Sequence, residues 1–347
     1  MAVEVRIASP FWVEGMLTEE WALRFVDYLY DCAVKGETAF AVVCGAGGGV
    51  LAAVTNVAET LRITNVKLIT VGFGDITNLA TAFFCLGDER VLMEGAELIF
   101  QDFNENANKL YREKTNISRE LFEEKVFGKV TWLMSFEEAK SLKVTTTEYA
   151  DVVDILVSAY SGRVMNFVEP FFFGGEVNPS STRRLLEYLY MCAANEKEAF
   201  IEFCSGGGSG QCMQALISTL ELTKVRLTTI GGAHVASAAA ALFLMGDRRA
   251  LKARTELLLH EGRSTHSKNR EYFVHDFEVQ CDALASGNEK YAEYCARKTK
   301  LTKEEFYHRT KRGRDWILSE DEVNTFGITT HSYEEILQEI LALRSKA

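Results

Sequence analysis

The sequence predicts a layered α/β fold built twice in tandem. Short apolar runs alternate with segments of helical spacing along the chain, the pattern of strands and helices packed in layers. Long collinear words of the first half return in the second. In both halves an apolar run leads straight into a glycine cluster, at Gly45–Gly49 and at Gly206–Gly208.

The repetition is direct. FVDYLYDCAVKGETAF (25–40) matches LLEYLYMCAANEKEAF (185–200), so Tyr28, Tyr30, Cys32 and Phe40 fall on Tyr188, Tyr190, Cys192 and Phe200. AFAVVCGAGGG (39–49) parallels AFIEFCSGGGS (199–209), and TLRITNVKLITVG (60–72) parallels TLELTKVRLTTIG (219–231). AFFCLGDERVLMEGAELIF (82–100) parallels ALFLMGDRRALKARTELLL (241–259). Farther on, EKTNISRELF (113–122) matches RKTKLTKEEF (297–306), and WLMSFEEAKSLKVTT (132–146) matches WILSEDEVNTFGITT (316–330). The spacing grows from 159 to 184 residues, so the second copy carries 184 − 159 = 25 extra residues just after Leu259. The join falls near Ser161-Gly162-Arg163, which divides the chain into domains 1–162 and 163–347.

Within the second copy, Phe171–Phe173 is a short apolar run closed by Gly174-Gly175. Ser181–Ala193 has helical spacing with Ser181 as its expected N-cap. Strands are expected at Ala199–Cys204, Val225–Ile230 and Glu256–Leu259, and helices at Gln211–Leu220 and at the Ala-rich Ala236–Met245. Ser319-Glu320-Asp321-Glu322 and Ser135-Phe136-Glu137-Glu138 both read as capping boxes, so a helix starts at the same place in each copy.

Composition narrows the function. Hydrophobic residues at 47% and charged residues at 25% suit a globular protein with real cores. A net charge of -11 without a basic patch argues against nucleic acid as a partner. No run of about 18 apolar residues offers a membrane span, and MAVEVRIASPFWVEG lacks the pattern of a secretory signal, so a soluble cytoplasmic protein is expected. The eight cysteines show no CxxC spacing, which speaks against a metal site. Cys32, Cys44, Cys192 and Cys204 read as buried free thiols of a reducing compartment. No cofactor is expected. The dinucleotide pattern G-x-G-x-x-G fails because its sixth position is Gln211 from Gly206 and Val50 from Gly45, and no lysine completes a P-loop. A G-x-S-x-G elbow around Ser209 fails at Gln211. An oxyanion loop and a plain tight turn both remain open for Gly206-Gly207-Gly208-Ser209.

All six histidines, His234, His260, His266, His275, His308 and His331, lie in the second copy. His260 ends ELLLH and falls on Gln101. An imidazole there suits a general base, and equally a histidine that only closes a strand end. Ser237 opens the Ala-rich segment and falls on Asn78. A serine at a helix start has its Oγ beside unpaired backbone N–H groups, while a small residue also serves close packing. His234 is a rival base in what reads as a turn. Asp315, in GRDWILS, falls on Thr131. Ser, His and Asp of one copy thus face Asn, Gln and Thr of the other. Joint replacement is expected if the three act as one unit, since losing one member wastes the rest.

The words FFFGGEVN, FCSGGGSG, IGGAHVASAAAALFLMG, ELLLHEG and GRDWILSEDEVNTFGI, in this order, resemble the proteolytic subunit of Clp protease. The resemblance covers residues 11–150 and 171–335. It implies two crotonase-like layered α/β domains with a protruding helical handle, longer in the second, and a degenerate first copy. It implies Ser237 as nucleophile, His260 as general base, Asp315 as the acid that orients it, and the backbone N–H groups of Gly208 and Ala238 as the oxyanion hole. It further implies a ring-like homo-oligomer, peptide or unfolded-protein substrates and an ATP-driven AAA+ unfoldase as partner. The chain departs from the family pattern with Gly206 in place of a proline and Glu261-Gly262 in place of Gln-Pro, and little chain precedes Phe11 to form an axial loop. Two other readings remain: a non-catalytic assembly or adaptor protein, and a crotonase-type enzyme acting on coenzyme A thioesters.

Overall fold

The computed structural model describes residues 6–102, 105–126, 131–161, 170–263 and 274–345. The chain divides into two compact units, Met1–Ser161 and Gly162–Ala347. Of the expected join, Gly162 and Arg163 lie outside the described residues, as does His266.

Unit 1 runs β1 (Phe11–Leu17), α1 (Glu19–Lys35), β2 (Ala39–Gly49), α2 (Leu51–Thr64), β3 (Leu68–Phe73), β4 (Asp75–Thr77), α3 (Leu79–Cys85), β5 (Glu89–Leu92), β6 (Glu97–Phe100), α4 (Glu105–Arg112), α5 (Arg119–Lys125), β7 (Trp132–Met134), α6 (Phe136–Ser141) and α7 (Tyr149–Ser158). Unit 2 runs β8 (Phe171–Val177), α8 (Pro179–Ala194), β9 (Ala199–Gly208), α9 (Gly210–Thr223), β10 (Leu227–Ala236), α10 (Ala238–Leu244), β11 (Arg248–Leu251), β12 (Glu256–Leu259), α11 (Val274–Arg297), α12 (Lys303–Thr310), β13 (Trp316–Ile317), α13 (Glu320–Thr325) and α14 (Tyr333–Arg344).

The sheet of unit 1 has the order β5-β3-β2-β4-β6-β7 with β1 also on β2; that of unit 2 has β13-β12-β10-β9-β8 with β11 also on β10. All pairings are parallel except β6–β7 and β12–β13, which close one end of each sheet. Parallel strands are covered on both faces, so they read as continuous apolar runs; every residue of Leu68–Phe73 is buried. This is the layered α/β fold expected, with a second handle that is longer: α4 has 8 residues and α11 has 24.

The unequal strand counts have a local cause. β10 is continuous where unit 1 has β3 and β4, and the break falls at Gly74, which has φ 66°. Ala233 stands at the equivalent place in β10 with φ 55°. The left-handed turn is kept in both units; glycine adopts it freely and alanine adopts it under strain.

Several boundaries differ from expectation. Asn178, not Ser181, caps α8: its Oδ1 accepts from Ser181 N–H at 3.0 Å while Ser181 Oγ accepts from Asn178 N–H at 3.0 Å. Pro179 at the first helical position fixes the start one turn earlier. Strands β9 and β10 continue past their apolar runs into Gly208 and Ala236, because the ladder is held by neighbouring strands and needs no side chain. Helix α10 starts at Ala238, with Ser237 outside it. The capping box forms at Ser319. At Ser135 the hydroxyl caps Glu138 N–H, and the Glu138 carboxylate accepts from Trp132 Nε1 at 3.2 Å.

The repeated words are repeated contacts. The Tyr28 hydroxyl accepts from Phe40 N–H at 2.8 Å and donates to Phe40 O at 3.2 Å; Tyr188 does the same with Phe200 at 3.0 and 3.2 Å. Among the described residues each unit also buries one arginine. Arg90 donates to the carbonyls of Val144, Gly87, Lys114 and Lys143 at 2.6–2.8 Å, and Arg249 to those of Ile328, Gly246, Lys298 and Gly327 at 2.7–3.0 Å. Burial works against the charge of both guanidiniums, and the converging carbonyl dipoles answer it, with Asp88 near Arg90 and Asp247 near Arg249 also favouring the charge.

The eight cysteines form no disulfide among the described residues; Cys32, Cys44 and Cys192 are buried, whereas Cys204 is only partly covered and Cys281 is exposed. Among the described residues no cluster of His, Cys, Asp and Glu could hold a metal ion, and no helix is long and apolar enough to cross a membrane.

Candidate active site

Three neighbouring strands end at one edge of unit 2. β10 pairs with β12 in parallel, Val235 against Leu257 and Ala236 against Leu258, and Ser237 N–H then donates to Leu258 O at 3.0 Å. β12 pairs with β13 antiparallel, Leu258 against Ile317 and Leu259 against Trp316. The next pair outward in that register is His260 and Asp315. The ladder therefore delivers Ser237, His260 and Asp315 to adjacent strand ends, although 78 residues of sequence separate the first from the last (315 − 237).

Ser237 has φ 56° and ψ −130°, a conformation open to glycine and strained for any residue with a Cβ, at roughly 1–3 kcal/mol. It sits before the first turn of α10 and its side chain makes no capping bond. The glycine loop packs closely against this turn. Gly207 has φ 92° and Gly208 φ 148°. A Cβ added to Gly207 would fall 2.5 Å from Ser237 Cβ and 3.0 Å from Ala238 N. Only glycine lets this loop lie against the Ser237–Ala238 backbone. The loop's own N–H groups are partly spent: Gly207 N–H donates to Ser205 Oγ at 3.1 Å and Ser209 N–H to Val177 O at 2.8 Å.

The side chains are arranged differently from the backbone. His260 Nδ1 lies 2.6 Å from Glu261 O. A carbonyl only accepts, so Nδ1 carries the proton and Nε2 is left as an acceptor. Asp315 Oδ1 accepts from Arg263 Nη2 at 2.5 Å, and the same nitrogen donates to Gly313 O at 2.7 Å. Among the described residues Ser237 Oγ, His260 and Asp315 share no hydrogen bond with one another. The strand ends come together and the three functional groups stay apart.

His234 lies on β10 directly after the left-handed turn at Ala233 and is paired with Glu256 in the β10–β12 ladder. Its Nδ1 pairs with Glu256 Oε1 at 3.0 Å. His308 lies on α12, and His331 Nδ1 contacts Thr330 Oγ1 at 2.9 Å.

Tyr291 was not legible as a site residue. It is buried on α11, its hydroxyl donates to Ser237 O at 2.9 Å, and burial holds its proton on well above the usual range. Unit 1 has the same contact, Tyr111 Oη to Asn78 O at 3.0 Å. Yet the 184-residue spacing sets Tyr111 on Cys295, one helical turn past Tyr291. The two helices supply the hydroxyl from different turns, so comparing the copies word by word conceals it.

Unit 1 keeps the same stage. Asn78 has φ 58° and ψ −122° and its N–H donates to Ile99 O at 2.9 Å. The β6–β7 register sets Phe100 against Trp132, with Gln101 and Thr131 next outward.

A family model described as Clp protease matches residues 160–335. No curated protein matches the chain. The match spans the strands, glycine loop and handle of unit 2 and takes in half of the sequence; the chain belongs to the Clp protease family, a family of peptidases.

Proposed function

We propose that unit 2 hydrolyses peptides or unfolded proteins as a serine endopeptidase. Ser237 is the nucleophile, His260 the general base and Asp315 the acid that orients His260. The observation that carries this reading is the shared strand edge: β10, β12 and β13 end side by side at these three residues. Two further features support it. Ser237 occupies a strained turn ahead of a helix, as an exposed nucleophile does. His260 already has the tautomer that leaves Nε2 ready to take the Ser237 proton.

In the reaction, Ser237 Oγ attacks the peptide carbonyl as Nε2 takes its proton. The oxyanion is met by the N–H groups of Gly208 and Ala238, which flank the close approach of the glycine loop to Ser237. The imidazolium gives its proton to the leaving amine, and water then cleaves the acyl-enzyme by the same route in reverse. Unit 1, with Asn78, Gln101 and Thr131, has no nucleophile and base pair and serves as a non-catalytic copy. A ring-like homo-oligomer, a cytoplasmic setting and an AAA+ unfoldase partner belong to this proposal.

A fluorophosphonate probe tests it. Labelling at Ser237, mapped by peptide mass spectrometry on the assembled protein, is the expected result; an unlabelled Ser237 in that sample refutes it. The pairing of Asp315 with Arg263 favours one second reading, a non-catalytic assembly protein, which predicts no labelling.

A further inference from the structure

We infer that Arg263 is a positioning residue that draws Asp315 away from His260 and so sets what fraction of the site is aligned. The inference rests on the reading of Ser237, His260 and Asp315 as one catalytic unit.

His260 and Asp315 hold facing positions in the β12–β13 register, which is the geometry for a direct imidazole–carboxylate bond. The segment after His260 intervenes. Arg263 Nη2 donates to Asp315 Oδ1 and to Gly313 O. Glu261 Oε2 accepts from Gly313 N–H at 3.3 Å. Gly262 N–H donates to Asn288 Oδ1, on the handle helix α11, at 2.5 Å. Residues 261 and 263 are thus stitched to the loop that carries Asp315, and residue 262 to the handle. His260, left without its acid, turns Nδ1 to the Glu261 carbonyl.

The arrangement is a competition for one carboxylate. A guanidinium on Asp315 neutralises the charge that would otherwise stabilise an imidazolium at His260. The competition is close to balanced. Both side chains are 53% exposed, so the ion pair is screened by salt and commands a small free energy. By the spacing of the two copies unit 1 carries Asp102 and Asn104 where unit 2 has Glu261 and Arg263, and Thr131 where the acid stands.

The test compares the full-length wild-type protein with Arg263→Gln and Arg263→Lys. Arg263→Gln is expected to speed fluorophosphonate labelling at Ser237 by up to about fivefold, the range an exposed ion pair commands. Arg263→Lys, which keeps the charge, is expected to stay near the wild-type rate. Raised ionic strength should accelerate the wild type and leave Arg263→Gln unchanged. A structural arm is independent of catalysis: in a crystal structure of Arg263→Gln made in a Ser237→Ala background, His260 Nδ1 should lie within about 3.2 Å of the Asp315 carboxylate. Slower or unaltered labelling in Arg263→Gln overturns the inference, as does an Asp315 that stays off His260 in that structure. If Ser237 labels in neither protein, the catalytic reading fails, and the crystal structure still decides whether Arg263 holds Asp315.

Discussion

Units 1 and 2 hold the same strained residue in the same place and put different side chains on it. Asn78 and Ser237 share φ and ψ to within about ten degrees, each gives its N–H to a strand carbonyl, and each has its own carbonyl bound by a tyrosine from the handle. The comparison teaches that the scaffold fixes this turn in both units, and that the side chain standing on it decides what chemistry it can serve. A ladder bond and a buried hydroxyl hold the conformation in both units whether or not a nucleophile stands there, while the close approach of Gly207 is a feature of unit 2. Two differences bear on the site: the side chains at three strand ends, and the 25 added residues of the second copy.

The sharpest way to break this comparison is at the paired turns. Ser237→Ala should lower peptide hydrolysis by on the order of 10⁶, while Asn78→Ala leaves it intact; comparable losses from both would mean that the two turns do the same work. The buried arginines should behave alike instead. Arg90→Met and Arg249→Met each strand four carbonyls, and each should destabilise its unit by roughly 3 kcal/mol or more in denaturant unfolding. A near-neutral result at either site would show that its unit does not depend on the network.

A third difference concerns pH. The β10–β12 pair His234–Glu256 of unit 2 has as its counterpart the β4–β6 pair Asp75–Glu97. Two carboxyls here replace an imidazole and a carboxylate. Burial, and then the nearby Asp75, push Glu97 up to about 7. A raised carboxyl favours folding below its unfolded value of 4.5, and that contribution is lost as pH climbs through 7. Unit 1 should therefore be less stable at pH 8 than at pH 5, by on the order of 2 kcal/mol. Urea unfolding can follow this through Trp12, Trp21 and Trp132, and Glu97→Gln should flatten the slope; a slope that survives the substitution excludes Glu97 as its source. The smallest effect is expected at the tyrosines. Tyr291→Phe and Tyr111→Phe should each cost about 1 kcal/mol of stability, but only Tyr291→Phe should also slow labelling of Ser237. Equal labelling rates in both variants would separate the tyrosine from the alignment of the site.

Much was legible in the residues. The doubled words located both units, because each keeps the same local contacts, such as Tyr28 on Phe40 and Tyr188 on Phe200. Apolar runs marked the strands, and Ser319 with Glu322 marked a helix start, since burial and capping are settled within a few residues of sequence. Asn178 was missed as a cap because Ser181 offered the same chemistry three residues on, and Pro179 decided between them.

The sequence by itself determined that the chain folds twice, which residues face one another between the copies, and that all six histidines stand in only one of them. Tertiary structure decided the rest. It ran β10 past the turn at Ala233, brought Tyr291 to Ser237 from a shifted helical turn, gathered four carbonyls around each buried arginine, and gave Asp315 to Arg263 instead of His260. Those outcomes depend on bonds between groups far apart in the chain, where several partners compete for one donor or acceptor. Which partner wins is set by the distances the packed fold imposes, and no local pattern of residues records them.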